Sequence, residues 1–512
     1  MSPAQRGGDA RRVPILAVDV VGALHVVGTL LAYLSLSVLL PITFAIGYGE
    51  NVWPFVAAGA VMAAIGLAVH FVTRGEHRLG IREGFLVVAL TWLAAAAFGA
   101  LPYIFSGNAQ VDRPIDAFFE GMSGFSTTGG SIVTDVQALP RSLAIWRQFT
   151  QWLGGIGIIV LALAVLPRLR VGGRQLLEHE MPGPEIETLS TRIRDTARRV
   201  WALYIALTAV LFLLLLAFGA SGIDEAMSPF QAFAHALTTI PTAGFSTKTN
   251  SIEAFAPATQ WVIVLFMILG GFNFALMYRT FVRRQPRALA RDGEARLYVA
   301  LLALGAAIVV TEIWTEDVLG GADALRTGIF TAVSTMTTTG FSVADYNAWP
   351  PLALMTIVGL MFVGGSAGST TGSVKVVRHL LLGKILRREI DQTLHPELVL
   401  PVRLNRRVVE DRTLRAISSF VLLYIGIFII GAALLAIDAA RTGLAVSPFD
   451  AVSVSASMLS NVGPAFGIGG PLGSFQPFSD FSKLLMIGLM WLGRLEIVPI
   501  VVLVSRHYWR NA

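Results

Sequence analysis

The sequence contains no cysteine. That excludes disulfides, thiolate metal sites and cysteine nucleophiles, and it leaves the redox compartment open. Charge is also scarce: 14% of the 512 residues are Asp, Glu, Lys or Arg, against roughly 25% in an ordinary soluble domain. A disordered chain needs the opposite balance, high charge with low hydrophobicity, and is excluded. Hydrophobic residues make up 54% of the chain and the mean hydropathy is +0.67. A soluble protein of this length has no interior large enough to hide that surface, so the composition predicts a polytopic membrane protein. One abundance is out of place in plain membrane helices: 50 glycines, which must sit where the backbone does something unusual.

Apolar stretches of about 20 residues are needed to cross a ~30 Å hydrocarbon core. Ten are predicted, near 20–46, 52–72, 84–105, 142–167, 198–219, 258–282, 296–318, 351–377, 414–438 and 482–505. The first is far longer than the 7–15 apolar residues of a cleaved signal and reads as a span. Basic residues then orient the chain. They fall at the N-terminus (Arg6, Arg11, Arg12) and in every second loop, for example Arg74, Arg78 and Arg82, Arg168, Arg170 and Arg174, Arg283, Arg284 and Arg287, and Arg403, Arg406 and Arg407. This places both termini in the cytoplasm. The net charge of +6 is then a topology signal, with anionic membrane lipids as neighbours and no nucleic-acid partner expected.

The opposite loops, after spans three, five, seven and nine, are too apolar for solvated loops. They align without gaps as residues 114–131, 229–246, 325–342 and 448–465 around Gly129, Gly244, Gly340 and Gly463. Pro114, Pro229 and Pro448 begin three of the copies, with Leu325 in the third; proline suits the first turn of a helix. Each copy has room for a short half-membrane helix, followed by Thr127–Thr128–Gly129, Thr242–Ala243–Gly244, Thr338–Thr339–Gly340 or Asn461–Val462–Gly463. Such a helix must enter the membrane and return. Its C-terminal end carries partial negative charge and favours a cation, and an extended run after it presents carbonyl dipoles of the kind that replace an ion's water shell. The fold class is therefore all-α: ten transmembrane helices and four re-entrant pore loops, in fourfold pseudosymmetric span–pore loop–span repeats. The predicted domains are a two-helix extension over 1–80 and repeats over 81–175, 176–290, 291–400 and 401–512.

The helices after the loops share Gly154–Gly155, Gly270–Gly271 and Gly364–Gly365, but the fourth reads Gly493–Arg494. A charge inside a membrane helix marks a position facing a cavity, and Arg494 is expected to lie below the filter as an electrostatic barrier. Glu496 is a poor local partner, because residues two apart on a helix point in different directions. The third helix runs into a segment, 364–375, containing Gly364, Gly365, Gly368, Ser369, Thr370, Thr371, Gly372 and Lys375. Four glycines, each costing about 1 kcal/mol relative to Ala, break a helix, and the segment reads as a flexible gate. The phosphate-loop pattern G-x-x-x-x-G-K-[ST] is not met, since Ser373 follows Gly372. The eight histidines, among them His70, His77, His179, His235, His379 and His395, form no H-E-x-x-H spacing. There is no catalytic dyad, and no enzyme is predicted. Asp116, Glu120 and Asp450 are the acidic residues near the mouth, with dipole matching at helix starts as their simplest role.

Four repeats with one glycine each, the Gly-Gly-Ser-Ala-Gly-Ser-Thr-Thr-Gly segment and Arg494 together resemble the Trk/Ktr/HKT superfamily of potassium transporters. The two extra leading spans resemble its TrkH-type membrane subunit. The resemblance implies potassium as the transported ion, no cofactor in this chain and a homodimer in a bacterial inner membrane. It also implies a cytosolic TrkA-like regulatory subunit whose RCK domains bind ATP/ADP or NAD(H). By the same resemblance Gly129, Gly244, Gly340 and Gly463 are filter glycines, 364–375 the gate and Arg494 the pore arginine. Gly130 and the Asn461–Val462–Gly463–Pro464 copy depart from a regular filter, so strict rejection of sodium is not implied. A less selective K+/Na+ channel, a proton or sodium symporter, and a secondary transporter of another solute are the alternatives.

Overall fold

The structure is a computed structural model and describes residues 18–77, 79–164, 186–397, 400–405 and 407–509. Arg6, Arg11, Arg12, Arg78, Arg168, Arg170, Arg174, Arg406 and His179, with the expected domain boundary at 175/176, lie outside the described residues.

Apolar sequence of sufficient length becomes helix, as a lipid environment requires of any spanning segment. The long helices are α1 Val20–Tyr48, α2 Trp53–Val72, α3 Arg82–Ser106, α5 Arg141–Ala164, α6 Ile186–Ala220, α10 Gly293–Thr315 and α14 Asp411–Thr442. Between them lie four shorter helices, α4 Pro114–Phe125, α7 Pro229–Thr239, α11 Gly321–Met336 and α15 Pro448–Ser460. Pro114, Pro229 and Pro448 occupy the first turn of theirs. The copy without proline begins further upstream, at Gly321. Large apolar side chains such as Leu422, Ile430 and Ile437 of α14 are exposed, the surface a lipid-facing helix presents. The chain is a multi-pass helical membrane protein.

Among the described residues, six helices are long and apolar enough to cross a membrane, and eight if two sharply bent pairs each count as one span. The remaining differences from ten plain spans are concentrated in the second helix of each repeat. The stretch expected at 258–282 is α8 Pro257–Gly271 and α9 Phe274–Val282, bent by 105°. The last span, expected at 482–505, is α16 Asp480–Arg494 and α17 Val498–Val504, bent by 114°. The break carries Glu496 and Ile497 at φ 56° and 59°, backbone angles that strain a β-branched residue. The stretch 351–377 is the short helix α12 Pro351–Met361, a loop, and α13 Val376–Leu394. Hydropathy reads straight through these corners because the apolar residues continue across them. In α5 the residues Arg147, Gln148 and Gln151 are buried, so its polar face is turned into protein.

Candidate functional site: a ring of four filter strands

Each short helix ends in the same way. The N–H of Thr127, Thr242, Thr338 and Asn461 bonds the carbonyl three residues back, at 3.0, 3.0, 3.0 and 3.3 Å, and the N–H of the following residue bonds the carbonyl five back, at 2.9, 3.1, 2.8 and 2.9 Å. This is the Schellman helix stop, which normally uses glycine. Here Thr127, Thr242, Thr338 and Asn461 take the left-handed angles themselves, at φ 55°, 53°, 53° and 57°. Two residues on, Gly129, Gly244, Gly340 and Gly463 are again left-handed, at φ 84°, 79°, 78° and 103°. The four predicted strands thus have one backbone conformation, and Thr127, Thr128, Thr242, Ala243, Thr338, Thr339, Asn461 and Val462 are all buried.

The glycines close the copies into a ring. A Cβ on Gly129 would collide with the carbonyl oxygen of Ala243, one on Gly244 with that of Thr339, and one on Gly340 with that of Val462. One on Gly463 would lie 2.5 Å from that of Thr128. The order is 1, 2, 3, 4 and back to 1, with each glycine against the carbonyl preceding the next glycine. A cavity of about 70 Å³ beside the ring is lined by Gly129, Gly244, Gly340 and Pro464, room for roughly two waters at ~30 Å³ each. The paired glycines bring the second helices up to the strands: a Cβ on Gly154, Gly270 or Gly493 would meet the carbonyl oxygen of Phe125, Ile240 or Leu459.

The glycine-rich segment 364–375 lies against the ring. Gly372 N–H donates to Thr338 Oγ1 at 2.8 Å, and Thr370 Oγ1 is 3.1 Å from Thr242 Oγ1. A Cβ on Gly372 would meet Ser460 and Asn461. The segment is ordered: Gly364 and Gly368 serve turns at φ 68° and 71°. Thr371 Oγ1 accepts from Gly365 N–H at 3.0 Å and sits 2.8 Å from Ser369 Oγ. Lys375 Nζ folds back on the carbonyl and hydroxyl of Thr371.

Arg494 is 1% exposed. It donates to Thr370 O and to Gly154 O, each at 3.0 Å, so an arginine of repeat four is held by carbonyls of repeats three and one. Glu496 does not face it; that carboxylate pairs with Arg378.

Four arrangements carry no motif in the sequence. Gln151 donates to Ala243 O and accepts from Phe245 N–H at 3.0 Å, pinning the strand of the second copy on both sides of Gly244. Glu120 and Arg147, both fully buried, pair at 2.6 Å. Glu120 also accepts from Ser131 Oγ and Ile132 N–H, and Arg147 reaches Ser246 O at 3.4 Å. This pair joins strands one and two just beyond their glycines, a different role from dipole matching. Asp116 pairs with buried Lys483 at 2.6 Å, tying repeat one to repeat four. Glu294 Oε1 accepts from Ala367 N–H at 2.6 Å and Val377 N–H at 3.2 Å, tying a residue early in the 364–375 segment to one just past it. Asp450 does what was expected of it, forming a capping box with Ser447 at the start of α15.

Fold and site together define a multi-pass membrane transport protein. The family model TrkH, described as a cation transport protein, matches residues 53–510. The Trk system potassium uptake protein TrkH of Halomonas elongata is 34% identical over 95% of this chain and 99% of its own length. The TrkG protein of Escherichia coli K12 is 33% identical over 95% and 98%. The crystal structure of the potassium transporter TrkH from Vibrio parahaemolyticus superposes with a TM-score of 0.85 at 31% identity, covering 96% of this chain and 99% of that one. The chain belongs to the TrkH family of cation transport proteins.

Proposed function

We propose that this chain takes up potassium across the cytoplasmic membrane through the four filter strands. The observation that carries the reading is the closed order of the glycines, each abutting the carbonyl before the next one. A buried cation cannot stay bare, and a ring of carbonyl dipoles offsets its lost hydration without fixed charge. The potassium uptake named for the relatives supports the ion assignment. Uptake is driven by the inside-negative potential, about 2.3 kcal/mol per charge per 100 mV. No bond is made or broken, and the chain needs no cofactor of its own.

In this reading Thr127, Thr128, Gly129, Thr242, Ala243, Gly244, Thr338, Thr339, Gly340, Asn461, Val462 and Gly463 form the re-entrant filter. Gly364, Gly365, Gly368, Ser369, Thr370, Thr371, Gly372 and Lys375 form the gate, with Arg494 as a fixed positive charge below it. The four repeats keep their boundaries at 81, 176, 291 and 401, with ten spans and both termini in the cytoplasm of a bacterial cell. A homodimer and a cytosolic TrkA-like RCK subunit that reads ATP/ADP or NAD(H) complete the system, and that subunit acts on the gate. Rubidium or potassium uptake into proteoliposomes tests the reading: voltage-driven flux is expected, and an absence of flux with the regulatory subunit present contradicts it.

One observation favours a second reading, a less selective K+/Na+ pathway. Asn461 replaces threonine in the fourth strand and donates to Thr128 Oγ1 at 3.0 Å, and Gln151 draws on the Ala243 carbonyl. Both disturb fourfold equivalence, and with it the equal carbonyl field that discriminates the two ions. The potassium-to-sodium flux ratio separates the readings.

A further inference from the structure

On the side of the molecule where the basic loops lie, a cavity of about 1140 Å³ is bounded by α9, by the start of α10, by α13 and by Ser366 and Ala367 near the beginning of the 364–375 segment. Arg279, Arg291, Arg296, Lys384 and Arg403 line it, against two carboxylates, Asp292 and Glu294. Among the described lining residues the cationic side chains thus outnumber the carboxylates, and the hydrogen bonds of both carboxylates go to neutral groups. Asp292 caps α10, accepting from Ala295 N–H at 2.9 Å, and accepts from Asn405 at 2.8 Å. Glu294 is committed to Ala367 and Val377. The wall also contains Ser366, which is 1% exposed and whose hydroxyl has no hydrogen-bond partner. A buried hydroxyl without a partner is destabilising, and this one belongs to a residue of the cavity wall.

We infer that this cavity is a binding site for a phosphate-bearing anion. Phosphate oxygens accept from guanidinium forks in paired geometry and supply the acceptor that Ser366 lacks. The cavity is as large as a full small-molecule site, ~300–1,000 Å³, so it takes more than a single phosphate: an oligophosphate or the headgroup of an anionic lipid. A ligand there lies beside Ser366, near the beginning of the segment whose Thr370 and Gly372 bond Thr242 and Thr338. The site is separate from ion passage, and its test reads binding without flux.

The full chain in detergent is titrated with inorganic pyrophosphate by calorimetry. In a second arm it is placed in nanodiscs of dioleoylphosphatidylglycerol or dioleoylphosphatidylcholine, and retained lipid is counted by native mass spectrometry. Three variants are compared: R291Q/R296Q/K384Q inside the cavity, S366A, and R283Q/R284Q/R287Q, which removes equal charge outside it. Each is first checked for wild-type elution and thermal midpoint. Binding of pyrophosphate assigns the soluble source, and selective retention of the glycerol lipid assigns the membrane source. In either arm the cavity triple is expected to weaken binding at least tenfold and S366A about threefold, while the control triple binds as the wild type does. The inference is overturned if neither probe binds the wild type, or if the control triple loses as much as the cavity triple.

Discussion

The guanidinium of Arg494 donates to the carbonyl oxygen of Thr370 at 3.0 Å. This bond joins the end of α16 to the 364–375 segment, 124 residues earlier. Its companion bond to Gly154 O extends the bridge to repeat one. The buried guanidinium is thus a strut between the 364–375 segment and the helix that carries Gly154.

Arg494→Met keeps much of the side-chain volume and removes both functions. Hydrogen bonds from a charged group are worth about 1.5–3 kcal/mol each, so the gate segment loses one such tie. Rubidium uptake into proteoliposomes without any regulatory subunit is expected to rise about tenfold. Flux that stays level or falls, at normal expression, contradicts the role of this arginine as a barrier.

Gly340→Ser brings a Cβ onto the Val462 carbonyl at a residue with φ 78°. The neighbouring strand must move, and the ring opens at the junction of repeats three and four. Potassium uptake is expected to fall by an order of magnitude or more, with a lower potassium-to-sodium ratio in the remainder. Gly359→Ser, at a helical position with open space around it, is the control and is expected to transport normally.

Glu294→Gln keeps one acceptor oxygen but puts an amide NH2 in place of the second oxygen, and Glu294→Ala removes the acceptor of both the Ala367 and Val377 N–H groups. Each hydrogen bond lost contributes about 0.5–1.5 kcal/mol. Loosening both ends of the gate segment is expected to raise subunit-independent flux several-fold, and Glu294→Ala to raise it further. Hydrogen exchange at 364–377 gives an independent readout: protection there should drop in both variants.

Glu120→Ala leaves the Arg147 guanidinium buried without its carboxylate. Removing one member of a buried pair costs about 3–5 kcal/mol, while replacing both by apolar groups is often close to neutral. Thermal unfolding in detergent is expected to show a large loss for the single variant and recovery of most of it in Glu120→Leu/Arg147→Met. Because the pair also holds Ser131 and Ser246, the double variant is expected to recover stability without full transport.

Much of this molecule was legible from its residues because the signals are local. A span announces itself by hydropathy, a helix start by Pro114, Pro229 or Pro448, and a repeat by four glycines in gap-free register. The third helix carried its own breakers, so the gate segment stood out. The corner at Phe272 did not, because apolar residues run up to it and no proline marks the bend; at Glu496 the signal was Pro499 in the first turn of α17, which an apolar window reads through.

By itself the sequence determined the class of protein, the family and four of the eight left-handed positions, the glycines, since periodicity and composition survive without a partner in view. Tertiary structure decided what those positions do to one another. The ring order depends on contacts between repeats, such as Gly463 against Thr128. The partners of Arg494 include a carbonyl 340 residues away, and those of Glu294 one 73 residues away. A buried charge must find an acceptor wherever folding brings one. Hydropathy and spacing carry no record of which acceptor that is; only the packed helices do.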